Sequence, residues 1–345
     1  MLRRRSLLGL AAAGAVPALL ALPQEAAGFA PIRVAVGSTN AFMFRHLPLA
    51  IAQQLDFFSA EKVAVVLQKH PTDRAALQAM QEGRADLCAV DFEQLLRAPA
   101  ALAAGARCFV LEGRAPQAAL GVSLQSLPHF STLHGLRQQR VGVCALGSFS
   151  HTVACLALEQ AGVSPRSVTF VAVGEGEAAL AALQTGRVQA LCHGDPLMAQ
   201  LERQGTVRIA ADTRTLAGTQ ALFGGPVFGG CLVAPAAMLG NRAPVVQAVT
   251  HGVVRALKWL QTAAPVDIVR VLPETWPRTQ RSVALAAFAR VRETFSPDGS
   301  MAAEGPATVL RALHATAPSV ATGLQAPEAM LLHAFARKAK LRFSA

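Results

Sequence analysis

The sequence predicts an α/β chain of two lobes joined by a two-segment hinge, and three observations carry that expectation. First, a short apolar run ends in a small polar turn and feeds a helix-periodic stretch twice, as RVAVGSTNAFMFRHLPLAIAQ at residues 33–53 and as RVGVCALGSFSHTVACLALEQAG at residues 140–162. Second, the echo continues downstream in the same order. AALQAMQEGRADLC at residues 75–88 and AALAALQTGRVQALC at residues 178–192 each read as an Ala/Leu-rich helix ending at Gly-Arg before an apolar strand. The spacing suits a duplicated lobe rather than a short-period solenoid. Third, strands and helices alternate along most of the chain, the pattern of parallel α/β layers.

In order, residues 32–36 predict a buried strand, with Gly37-Ser38-Thr39-Asn40 as its turn and a helix to about residue 54. Strands follow at 63–67 and 87–90, with Asp91 at the carboxyl end of the latter. Thr72 or Asp73 can cap the intervening helix 74–81. Residues 92–104 read as a helix, and residues 108–111 and 120–124 as further strands of the first sheet, so the crossing into the second lobe is expected at 123–128. There the strands are 141–145, 168–173, 188–192 and 207–210, with helices opening at Ser150, Glu177 and the His193-Gly194-Asp195-Pro196 turn. The Gly-rich stretch 223–230 reads as the return crossing, because glycine absorbs backbone rotation at low steric cost. Helices at 245–260, 266–272, 279–295 and 327–340 would wrap the first lobe. The expected division is thus a leader at 1–28, the first lobe at 29–124 and 229–345, and the second lobe at 125–228.

The leader is an address rather than structure. Arg4-Arg5-Ser6-Leu7-Leu8 fits the twin-arginine pattern, residues 7–22 are apolar but short for a span, and Ala26-Ala27-Gly28 offers a small-residue cleavage site. Export to a bacterial periplasm is expected. The 345 residues carry a formal charge of +11, with 52% hydrophobic and 15% charged residues. A basic surface favours anionic ligands. Nucleic acid is not the expected partner, because the charges are scattered and there is no Tyr. Six cysteines without a CxxC spacing sit mostly in strand-like runs, which reads as mostly free buried thiols, with a single bridge as the alternative. The nine His are dispersed, and neither metal nor cofactor is expected.

The two strand–turn–helix units supply the candidate binding groups. Backbone donors at the helix start, with Ser148, Ser150 and Thr152, could hold an anion or carbonyl, or the hydroxyls could simply cap the helix. Arg45 is either a solvated surface residue or a bidentate anion clamp. Asp91 and Asp195 could cap the helices that follow them or bind a ligand amine. His46, His151 and His193 read as cleft or surface histidines, and Glu175, between two glycines, as a solvated turn.

Taken together, IRVAVGSTNAFMFRHLPLAIAQQLDFF, AALQAMQEGRADLCAVDFEQLLRA, GVCALGSFSHTVACLALEQAGVSPRSVTFVAVG and VQALCHGDPLMAQ resemble the periplasmic substrate-binding proteins of nitrate, sulfonate, taurine and thiamine-pyrimidine importers, over roughly residues 31–260. The resemblance implies a type II periplasmic-binding-protein fold and a monomer that delivers a small molecule to an ABC permease in the inner membrane. It implies ligand contacts from Ser38, Thr39, Asn40 and Phe42; from Asp91; from Ser148, Ser150, His151 and Thr152; and from His193 with Asp195. The chain departs from the family pattern at Arg45-His46, where an aromatic is common, at Asp56 in place of Gly, and at His193-Gly194-Asp195 in place of a Trp-Glu pair. Scarce aromatics argue against a stacked pyrimidine and leave sulfonates, nitrate and carboxylates ahead. The expected role is capture without catalysis; the alternatives are a ligand-sensing module of a membrane receptor and an enzyme on the same fold.

Overall fold

Ten strands in two sheets form the framework of the computed structural model, which describes residues 30–38, 44–271, 278–321 and 327–343. The expected leader lies outside the described residues. The strands are β1 (Ile32–Val36), β2 (Val65–Lys69), β3 (Leu87–Asp91), β4 (Ala106–Leu111), β5 (Ala118–Ser123), β6 (Arg140–Val143), β7 (Thr169–Ala172), β8 (Ala190–Gly194), β9 (Val207–Asp212) and β10 (Gly230–Pro235). The first sheet has the order β2-β1-β3-β10-β4 and the second β7-β6-β8-β5-β9. In each, the first three strands pair in parallel and the fourth is antiparallel to both neighbours. The lobes are therefore topological equivalents, with β1 and β6 as counterparts, and the architecture is the two-lobe type II periplasmic-binding-protein fold. Strands β1 and β3 are almost wholly buried, as expected of parallel strands covered by helices on both faces.

The crossing between lobes lies elsewhere than expected. The stretch at 120–124 does not extend the first sheet: β5 pairs with β8 and β9 in the second, so the chain crosses within residues 112–117 rather than 123–128. Every residue of β5 is buried, and a run that is apolar on both faces carries no information about which sheet receives it. The return passes through residues 224–229. The lobes thus exchange strands, β5 completing the second and β10 the first.

The two crossing segments bond to each other. The Gly229 amide donates to the Gly113 carbonyl at 2.9 Å and the Glu112 amide to the Gly230 carbonyl at 2.8 Å. A Cβ on Gly229 would lie 2.3 Å from the Ala115 carbonyl oxygen, so only glycine permits this approach.

The helix expected at 92–104 is two, Phe92–Leu96 and Ala100–Gly105, because Pro99 disfavours a helical residue before it. The stretch 327–340 divides into a 3-10 turn at Pro327–Met330 and a helix at Ala334–Phe343. The helices Leu216–Phe223 and Gly305–Thr316 were not anticipated. The 20-residue helix Ala243–Thr262 buries Val246, Val249, Val253, Leu257 and Leu260 against Ile51, Phe58 and Phe335 of the first lobe. A second cluster runs from Ala76 and Phe92 of the first lobe to Val143 and Phe149 of the second. All six cysteines are free, and five are buried.

Candidate binding cleft

The carboxyl ends of β1, β3, β6 and β8 open onto a cleft of about 880 Å³ between the lobes. Gly37, Arg45, Asp73 and Asp91 line it from the first lobe, and Cys144, Ser148, Ser150, Glu175 and Asp195 from the second, with Pro116 and Gln117 of the outgoing crossing between them.

Arg45 occupies the centre, in the 3-10 turn Phe44–His46 that follows β1. Its guanidinium donates to both carboxylate oxygens of Asp73 at 2.8 and 3.0 Å, to Asp91, and to the Gly37 carbonyl. Glu175 approaches it from the opposite lobe at 4.0 Å. Burial opposes its charge, yet Asp73, Asp91 and Glu175 raise its pKa well above the usual arginine value. An anion clamp is thus not available without breaking these bonds. The Asp91 amide donates to Asp73 at 3.1 Å. Burial raises the Asp73 carboxyl to about 7, with Arg45 only partly offsetting it.

Asp73 is free for this role because Thr72 takes the helix cap, accepting from the Ala75 amide at 3.1 Å. The sequence expectation for Glu175 is a solvated turn, but its side chain is only 9% exposed and accepts from Ser38 Oγ across the cleft at 2.8 Å. Gly174 and Gly176, both at positive φ, permit the tight bend that turns Glu175 inward.

The Ser148 and Ser150 hydroxyls line the cleft at the start of the helix Phe149–Gln160, but neither caps it. Ser148 Oγ donates to the Ala145 carbonyl at 2.7 Å and lies 2.8 Å from Ser150 Oγ, which accepts from the Cys144 amide at 2.9 Å. They therefore fasten the turn itself. Beside it, the Cys144 thiol and the His193 imidazole interact electrostatically. Burial would raise the thiol, but His193 and hydrogen bonds from His193 and Ser150 bring it below its usual value. Burial would lower His193, and Cys144 raises it to about 9.

The remaining expected residues are placed as follows. Thr39, Asn40 and Phe42 lie outside the described residues. His151 does not line the cleft; it accepts from the Gly147 amide at 3.0 Å and packs edge-on to Phe170, and burial lowers it to about 4. Thr152 also lies outside the cleft lining and ties the lobes together, donating to Glu93 at 2.6 Å and accepting from Arg97 at 3.2 Å. His193 is fully buried behind the lining. Asp195 lines the cleft and accepts from the Ala199 amide at 2.9 Å in the first turn of the helix Leu197–Arg203, whose N-cap position is Pro196; burial raises its pKa despite Arg214 at 3.2 Å. The residues that sequence reasoning missed are chiefly Asp73, Gln94, Arg97, Gln117 and Cys144, with Glu175 misread.

Behind the cleft, His46 and Glu112 form a buried pair at 2.9 Å. Burial pushes Glu112 up to about 8 and His46 down to about 3, so a neutral carboxyl faces a neutral imidazole. Among the described residues no cluster of His, Cys, Asp and Glu is arranged to hold a metal ion.

The comparisons with known proteins agree with this fold. A protein of Bordetella bronchiseptica RB50 of solved structure is 34% identical, superposes with a TM-score of 0.83 and matches over 92% of this chain and 99% of its own. The alkanesulfonate-binding protein SsuA from Xanthomonas axonopodis pv. citri, bound to MOPS, is 21% identical with a TM-score of 0.65, over 90% of this chain and 100% of its own. The periplasmic nitrate-binding protein NrtA from Synechocystis PCC 6803 is 13% identical with a TM-score of 0.68, over 91% and 89%. At these identities the last two share the fold. No curated protein sequence matches the chain. The family model described as NMT1/THI5 like matches residues 43–263. On that match and the Bordetella likeness, the chain belongs to the NMT1/THI5-like family of periplasmic-binding-protein-fold proteins.

Proposed function

We propose that the protein is the periplasmic solute-binding component of an ABC importer, exported by the twin-arginine route, which captures one small polar ligand between its lobes and presents the closed form to the permease. The observation that carries this reading is the cleft of about 880 Å³, walled by both lobes and hinged on two mutually bonded crossing segments. A ligand touching both walls binds the closed state better than the open one and so shifts the population toward it. Of the anionic and zwitterionic candidates, a zwitterion of the taurine type is favoured over nitrate or a plain carboxylate, because the donors of Arg45 are engaged by protein acceptors. No chemical step is part of this reading. One observation favours a second, an enzyme on the same fold: Cys144 at the cleft wall, its thiol lowered from the usual value by His193 behind it, has the character of a nucleophile.

The test is a thermal-shift screen of the purified protein against sulfonates, nitrate, carboxylates, amines, pyrimidines and purines, with small-angle scattering on the best hit. A true ligand at a hundred times its Kd adds about 2.7 kcal/mol of stability and alters the scattering if it shifts the lobes. A panel without any stabiliser would sink the capture reading, and turnover of a bound compound would transfer it to the enzyme reading.

A further inference from the structure

We propose that the ligand presents a cationic nitrogen, an ammonium, amidinium or guanidinium, to the carboxylates of Asp73, Asp91 and Glu175, and that this group rather than an acidic end sets its affinity. The proposal rests on the capture reading above and names the class of molecule captured.

The chain as a whole is strongly basic, but its cleft is not. Three arginines line it, at 45, 74 and 97, against five carboxylates, Asp73, Glu82, Asp91, Glu175 and Asp195. At the centre, among the described residues, Arg45 is the one cation paired with Asp73, Asp91 and Glu175, and the sequence at 39–43 carries no charge.

Arg45 cannot offer a fork to an outside anion, since Asp73, Asp91 and the Gly37 carbonyl hold its donors. Arg97 is bound to Glu93 and Thr152. Arg214, buried behind Asp195, is shared among Asp195, Glu202 and Asp212. Apart from Arg74, which is exposed, the cations on and behind the wall are thus partnered, and the buried surplus charge is negative. A buried surplus of one sign is relieved by a ligand of the other.

A second observation points the same way. Among the described residues that line the cleft, the buried side-chain atoms without a hydrogen-bond partner are both oxygens, Oδ2 of Asp195 and Oε1 of Gln117, in residues only 2% and 4% exposed. Orphaned acceptors ask for donors, and an ammonium brings three donors and no acceptor. A bare anion would add acceptors to a wall that already has too many. Burial, with a smaller contribution from the neighbouring Asp91 charge, raises the Asp73 carboxyl, and a docked cation would draw its proton off.

The experiment is calorimetric titration of the purified full chain with matched probes that differ in one group: taurine and isethionate, 4-aminobutyrate and 4-hydroxybutyrate, putrescine and 1,4-butanediol, with nitrate as the bare anion. At least one amine is expected to bind, with its hydroxyl counterpart about ten- to a hundredfold weaker. Glu175→Gln should weaken that amine by a similar factor while the circular dichroism spectrum stays native. Asp73→Asn carries the same expectation should the first variant fold poorly. Isethionate equal to taurine, nitrate binding where the amines do not, or amine binding indifferent to both variants would overturn the cationic site and leave capture standing. Silence of every probe together with unchanged small-angle scattering would count against capture itself, and the cationic site would fall with it.

Discussion

Replacing Arg45 with Met removes the one cation shared by Asp73, Asp91 and Glu175, and the cost follows from the contacts. The guanidinium makes two bonds to Asp73 at 2.8 and 3.0 Å and further bonds to Asp91 and Gly37. The Asp73 and Asp91 side chains are each only 5% exposed, so neither can turn to bulk water for compensation. Breaking a buried ion pair from one side costs about 3–5 kcal/mol. The penalty depends on pH, and its sign is fixed by the raised Asp73 carboxyl. A carboxyl whose folded pKa, about 7 here, lies above its unfolded value holds its proton longer in the folded state. Its contribution is fully present at low pH and is lost as pH rises through the folded value. Without Arg45 that value rises further, each unit adding about 1.4 kcal/mol to the cost of ionisation. Urea unfolding followed by circular dichroism should therefore find the variant's deficit smaller at pH 5 and several kcal/mol at pH 8. Arg45→Lys, which keeps the charge and loses the fork, should fall between them. A variant equally destabilised at both pH values, or not at all at pH 8, would refute the argument that Arg45 neutralises a crowded carboxylate group.

Two further perturbations probe the cleft wall. Iodoacetamide at neutral pH should alkylate Cys144 well ahead of the other five cysteines, which are buried, because its thiol sits below the usual value and at the cleft surface; mass-spectrometric mapping reads the order, and uniform or absent labelling would count against the His193 contact. Thr152→Val removes the donor that meets buried Glu93 at 2.6 Å and should cost about 1–3 kcal/mol in urea unfolding, with a fully stable variant showing that the inter-lobe bond contributes nothing.

The fold was largely legible because its cues are local. The run at 32–36, the turn at Gly37 and the helical spacing of 47–54 each follow from neighbours a few residues apart, and the same cues recur at 140–160. The misplaced crossing marks the limit: β5 is apolar on both faces, and nothing within six residues says whether it joins β4 or β8. At the site, Arg45, Asp91, Ser148, Ser150 and Asp195 were legible from strand ends and turns, and all line the cleft. Asp73 and Glu175 were not, since each looked like an ordinary helix start or loop tip.

What the sequence determined by itself was the inventory: two strand–turn–helix units and the polar turns at their strand ends. These depend on φ/ψ preference, hydrophobic period and capping, which act over a turn or two. What only the tertiary structure decided was the charge of the cleft. Residues 45, 73, 91 and 175 lie far apart along the chain, and it is the stacking of β1 beside β3 and the facing of the two lobes that set one guanidinium among three carboxylates. Net charge sums over the whole surface, whereas a ligand meets only the few groups within several ångströms of it, because screening and burial make electrostatics local.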